Sequence, residues 1–198
     1  MAFLKLARRG TTSLASRNSA ASHCRWGGLL LLLSSLAWSA TPTPEYQLKA
    51  VFLFNFTQFV EWPQQAFADA NSPLIIGVLG NDPFGTYLDD TVRGETVNGR
   101  PLTVQRYNAP SDIKNCHVLF ISRSEAAHLT QILASLKGKS ILTVSDVDNF
   151  NRDGGIIRLA TIANKIRLRI ALEEAKAANL TISSKLLRPA DIVAAGEE

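Results

Sequence analysis

The sequence predicts one three-layer, Rossmann-like α/β domain over residues 46–193, with a mostly parallel sheet and an antiparallel hairpin at one edge. Three observations lead there. Short unbroken apolar runs, the pattern of strands buried on both faces, occur at 74–79, 118–122 and 140–144. Segments of helical period stand between them, and alternation of strand with helix gives parallel pairing through crossover connections. Later, runs 156–162 and 165–170 are separated only by Ala163-Asn164, a link too short for anything but an antiparallel pair.

Taken in order, residues 46–62 form the first helix. Apolar residues at 46, 50, 53, 54 and 60 fit helical spacing, and Gln47, Asn55, Gln58 and Glu61 gather on one side. Val51, Phe52, Phe56 and Phe59 widen the apolar arc beyond what a surface helix needs, which suits a helix packed on a sheet and open to a partner. Pro63 stops it, because the residue before a proline disfavours the α region. After strand 74–79, Asp82 and Pro83 read as N-cap and first turn of a helix running toward Val92 and ended by Gly94. Asn98-Gly99 signals a tight turn before strand 102–107. A helix over 125–136 places Leu129, Ile132, Leu133 and Leu136 on one face, and 146–155 is a polar loop. In 165–170, Lys165, Arg167 and Arg169 alternate with Ile166, Leu168 and Ile170, the period of a half-buried strand. Helices over 171–180 and 184–193 close the domain, and 194–198 is a disordered tail.

The charge is distributed unevenly. The 198 residues hold 21 Lys and Arg against 17 Asp and Glu, a formal net charge of +4. Such a basic balance suggests nucleic acid. However, Lys5, Arg8, Arg9, Arg17 and Arg25 all precede the leucine run 29–33, and residues 1–39 contain no acid. A basic segment followed by a short apolar one is an export signal. Ala37 and Ser39 supply the small residues that predict cleavage after Ser39, with 40–45 as a short linker. Removing 1–39 leaves 159 residues with a formal charge of −1, so the nucleic-acid argument falls. The leucine-rich stretch is too short by itself to span a bilayer. Cys24 leaves with the signal, and Cys116, at the head of a buried strand, has no internal partner and reads as an inert thiol, the alternative being an intermolecular bond.

The motifs exclude more than they assign. Residues 80–85 (Gly-Asn-Asp-Pro-Phe-Gly) lack the glycine spacing of a dinucleotide loop and the Lys of a phosphate loop. The turn at Asn81, Asp82 and Gly85 still opens a helix, so it stands as a candidate site for an anion or small ligand. Residues 149–154 mimic the start of a calcium loop, but the twelfth position is Ala160, without a carboxylate. His117 and His128 with one cysteine make no zinc set. Asp89, Asp90, Asp146 and Asp148 read as solvated carboxylates. Nothing assembles an acid, a base and a nucleophile, so no catalytic, cofactor or metal residue is assigned. The candidate partner-binding residues are Phe59, Trp62 and Pro63 at the first helix's end. With them stand Arg158, Lys165, Arg167 and Arg169, a basic stripe suited to an acidic partner or an anionic surface.

An ordered set of segments carries a family resemblance. Residues 50–56 (AVFLFNF) running into 59–63 (FVEWP), then 80–85, 97–102 (VNGRPL), 116–122 (CHVLFIS), 154–157 (GGII) and 186–188 (LLR) together resemble the YfiR-like family. The resemblance covers about residues 46–193. It implies an exported, non-enzymatic bacterial protein, active in the periplasm. There it would repress the sensing domain of an inner-membrane diguanylate cyclase, lowering cyclic di-GMP and biofilm formation. It also implies self-association, here a homodimer. Redox control, which the resemblance attaches to relatives with several cysteines, has no pair to act on here. The alternative from another class is a periplasmic small-molecule binder using the 80–85 turn.

Overall fold

The computed structural model describes residues 43–194, 196 and 197. The expected export signal, its cut after Ser39, residues 40–42 of the expected linker, and residues 195 and 198 of the expected tail lie outside the described residues.

The chain begins with helix α1 (Pro44–Phe59), whose proline sits in the first turn, where its missing N–H costs nothing. Strand β1 (Val60–Glu61) follows at once. The expected helix to Trp62 is therefore three residues too long. Val60 is β-branched, Pro63 holds Trp62 extended, and both β1 residues find partners, Val60 opposite Ile182 and Glu61 opposite Thr181.

Strand β2 (Leu74–Leu79) is buried at every position. Helix α2 is only Thr86–Val92, starting three residues later than the Asp82 N-cap predicts. Asp82 caps the preceding turn instead, its Oδ1 accepting from the Phe84 amide at 2.7 Å. Strands β3 (Thr96–Val97) and β4 (Arg100–Tyr107) close on Asn98 and Gly99, with φ of 51° and 78°, the two positive values a type I′ hairpin turn requires.

Strand β5 (Val118–Ile121) leads into 3-10 turns at Arg123–His128 and then helix α3 (Leu129–Leu136). The helix thus begins later than Glu125, because the Glu125 amide bonds the Ser122 carbonyl three residues back. Leu129, Ile132, Leu133 and Leu136 are all buried, as their spacing predicts. Strand β6 (Leu142–Ser145), the 146–155 loop, and the hairpin β7 (Ile157–Ile162) and β8 (Lys165–Ala171) follow. The hairpin turns on Ala163 and Asn164, both at positive φ.

Helix α4 (Leu172–Ala177), strand β9 (Thr181–Ile182), helix α5 (Ser184–Leu187) and strand β10 (Asp191–Val193) complete the domain. The final helix expected over 184–193 is thus mostly absent. Pro189 cannot continue it, and Asp191–Val193 pair with Arg169–Ala171 as a parallel strand.

The main sheet has eight strands in the order β10-β8-β7-β6-β5-β2-β4-β3, and β1 with β9 forms a separate pair. The fold is α/β with a mixed sheet. Five of its pairings are parallel, and β7–β8 and β3–β4 are antiparallel. The sequence places the β7–β8 hairpin at the edge of the sheet; instead β10 adds one more strand outside it. Alternate residues along β2 and β5 feed two apolar clusters. One gathers Ile76, Val78 and Phe120 with residues of α1, α2, α4 and α5; the other gathers Leu79, Leu119 and Ile121 with α3.

Candidate functional site

The carboxyl ends of β5 and β6 receive the first turns of α1, and a group of charges meets there. Lys49 lies in the apolar stripe of α1 and is fully buried. Its Nζ stands 2.5 Å from Asp146 Oδ2 and 2.5 Å from Glu45 Oε1. Asp146 follows β6 directly and its side chain is also fully buried. The same Oδ2 accepts from the Tyr46 hydroxyl at 2.9 Å and lies 3.3 Å from Arg123 Nε. Arg123 also donates to the Asp146 carbonyl at 3.2 Å. Asp146 Oδ1 is buried with no hydrogen-bond partner among the described residues. Burial and the neighbouring Asp146 push the Tyr46 hydroxyl up to about 12. Hydrogen bonds from Lys49 and Thr161 hold the Glu45 carboxyl below its ordinary range.

This arrangement corrects the reading of Asp146 as a solvated carboxylate. Its sequence signal was Lys49: a lysine between Tyr46 and Leu53 in an apolar helical stripe must find an acid, since an unpaired buried charge is too costly. Asp89 is not a free surface carboxylate either. Arg106 donates to it at 2.8 and 2.5 Å and holds it below its ordinary range.

Of the predicted partner-binding residues, Arg158 and Arg169 reach the rim of this charge cluster. Arg158 pairs with Asp148. Lys165 and Arg167 continue the stripe outward along β8. Lys165, with Ile162 opposite it, is exposed at the hairpin tip.

Phe59, Trp62 and Pro63 stand at the other end of the sheet's strands. Trp62 Nε1 donates to the carbonyl of His117, just before β5, at 3.1 Å. Trp62 also meets the His117 ring edge-on, and Phe67 stacks on that ring with centroids 4.4 Å apart. His117 Nδ1 accepts from the Ile75 amide at 3.0 Å, and Nε2 lies 3.2 Å from the Ala66 carbonyl. Burial drops the His117 imidazole to about 4, so it is neutral at pH 7 and donates from Nε2. Phe59 packs half-buried against the main apolar cluster, and Pro63 borders a cavity with Cys116. Burial pushes the Cys116 thiol up to about 12. It therefore stays protonated, which agrees with an inert thiol. The structure does not bring these three residues together with the basic stripe.

At the predicted ligand turn the charges are already matched. Asp82 Oδ2 accepts from Arg106 Nε at 2.9 Å, and Arg106 also donates to the Gly85 carbonyl at 2.9 Å. The Asn81 amide donates to Ser124 Oγ at 3.0 Å. The Asp82 carboxylate thus holds the place on the Phe84 amide that an external anion would take.

Among the described residues, no helix is long and apolar enough to cross a membrane. No group of three or more His, Cys, Asp or Glu side chains there is placed to hold a metal ion. No curated protein matches the chain. A family model described as YfiR/HmsC-like matches residues 46–191.

Proposed function

The chain belongs to the YfiR/HmsC-like family, and from that premise we propose a periplasmic regulator that binds and represses the sensing domain of an inner-membrane diguanylate cyclase. The family is regulatory rather than catalytic and acts on diguanylate cyclase signalling from the periplasm. For this chain, the reading is that residues 1–39 direct export and are cut after Ser39. The 46–193 domain, a three-layer Rossmann-like unit with an apolar cluster on each sheet face, then acts as a homodimer without catalysis. It lowers cyclic di-GMP and biofilm formation.

The observation that carries the docking surface is the outer half of the hairpin stripe. Lys165 and Arg167 are exposed on one strand, and Ile162, opposite Lys165, is an exposed large apolar residue at 51%. An apolar residue beside two cations suits an acidic partner surface. Phe59 and Pro63, at the end of α1, are a second, smaller contact in this reading. Trp62 is tied to His117 and supports that end from within.

Cross-linking in intact cells tests the assignment. The wild-type protein should be recovered bound to a membrane protein that carries a periplasmic domain and a cyclase domain. The double variant Lys165→Glu, Arg167→Glu, exported at the same level, should lose at least four-fifths of that product. Equal recovery with both forms would reject the hairpin as the docking surface, and recovery of no such cyclase would reject the partner.

A further inference from the structure

The inner half of the stripe has a chemistry of its own. The register of the hairpin sets Arg158 of β7 directly opposite Arg169 of β8. Like charges directly opposed, with Cβ atoms about 5 Å apart, repel each other, so this pair calls for anions nearby. Asp148 supplies one to Arg158. The Arg169 side chain makes no hydrogen bond or ion pair among the described residues, and its Nε is buried without a partner. A buried guanidinium donor left unmet is costly unless something fills the place beside it.

Both arginines border a cavity of about 410 Å³, together with Arg123, Asp146, Asp148 and Thr161. Arg123 enters from the end of β5, so three guanidiniums converge there from three separate stretches of chain. The acids nearby do not cancel them. Lys49 and Arg123 face Asp146, Lys49 also faces Glu45, and Asp148 faces Arg158. Asp191 of β10 lies beside Arg169 in register but forms no ion pair with it, so among the described residues the Arg169 guanidinium has no salt bridge. The volume lies within the range of small-molecule sites, roughly 300–1,000 Å³. The cavity also opens beyond the carboxyl ends of β5 and β6, where open α/β sheets hold ligands.

We propose that this cavity is a binding site for a small oxyanion, a carboxylate or phosphoryl group held by the Arg169 guanidinium and seated between it and Arg158. The planar fork of a guanidinium matches either group through two parallel hydrogen bonds. Arg123 closes the open side. The site is separate from the 80–85 turn, where Asp82 already holds the free amide. It does not rest on the partner reading: it is tested on the protein alone, so its failure leaves the docking surface as it stands.

Calorimetric and thermal-shift titrations at low ionic strength test it, with inorganic phosphate in one arm and citrate in the other. Sodium chloride at matched ionic strength serves as the control. At least one anion should bind saturably and raise the melting temperature where chloride does not. The arm that saturates assigns phosphoryl or carboxylate chemistry. Arg169→Gln should weaken binding at least tenfold, and Arg123→Gln, at an exposed side chain, at least fivefold. Arg167→Gln, farther along the same strand, should stay within twofold of wild type. Without ligand, Arg169→Gln should melt at or above the wild-type temperature, because it relieves a like-charge pair; a purely structural Arg169 would give a lower one. Binding no better than chloride in both arms would overturn the site. So would retention of binding within twofold by Arg169→Gln, or by Arg123→Gln if Arg169→Gln fails to fold. Equal loss in Arg167→Gln would mean only a diffuse field of charge.

Discussion

At the scale of single residues, the strongest constraint is the buried pair of Lys49 and Asp146. Burying both ions costs desolvation that their attraction only partly offsets. Removing one partner is severe, because the other charge remains buried and alone. Lys49→Met should therefore lower stability by about 3 kcal/mol, read from urea unfolding midpoints. A loss below about 1 kcal/mol would mean that Tyr46 and Arg123 suffice to hold Asp146.

His117 gives a second test. Its folded value of about 4 lies below the ordinary 6.5, so the unfolded chain holds a proton that the folded chain lacks between those values. Stability contributed by His117 is fully present above about pH 6.5 and is lost as pH falls toward 4, about 3 kcal/mol in all. Unfolding midpoints across pH 7 to 4 should show this slope, and His117→Phe should flatten it; an unchanged slope in the variant would assign it to other groups. Glu45 and Asp89, both held low, add their own loss as pH falls below their ordinary values of 4.5 and 3.8, so Glu45 overlaps the acid end of the His117 window.

At the scale of elements, β2 is packed so closely that its glycine has no room for a methyl group. A Cβ on Gly77 would lie 2.6 Å from the Tyr107 ring and 2.8 Å from Cys116 Sγ. Gly77→Ala should cost about 1–3 kcal/mol through overpacking, with melting temperature as the readout. The companion variant Cys116→Ala should recover part of the loss by removing one of the two clashing atoms; no recovery would place the whole clash on Tyr107.

The sequence was most legible where an element is defined by its own residues. Strand 74–79 and the Asn98-Gly99 and Ala163-Asn164 turns follow from local apolar runs and turn chemistry. It was least legible where distant chain decides. Val60–Glu61 extend because Thr181–Ile182 lie beside them, and Asp191–Val193 join the sheet because β8 offers an open edge. Neither partner is visible in a local window. The charge cluster was half legible: Lys49 stands out in an apolar stripe, but its acid lies 97 residues away, in a loop that reads as solvated.

At the scale of the whole molecule, the net charge of +4 is a property of residues 1–39 and not of the domain. The basic residues of the proposed docking surface lie on one hairpin, where Lys165 and Arg167 are exposed, while Arg158 and Arg169 border a cavity with Arg123. Membership of the family came from an ordered set of short segments, none of them decisive alone, so it was legible only over the full span of the domain.

The measurement closest to the central claim is the cyclic di-GMP content of cells that carry or lack this protein. Deletion should raise it severalfold, wild-type chain restored in trans should return it to the starting level, and the Lys165→Glu, Arg167→Glu form should leave it raised. Cyclic di-GMP unchanged by deletion, in cells where the protein is normally present in the periplasm, would contradict the account.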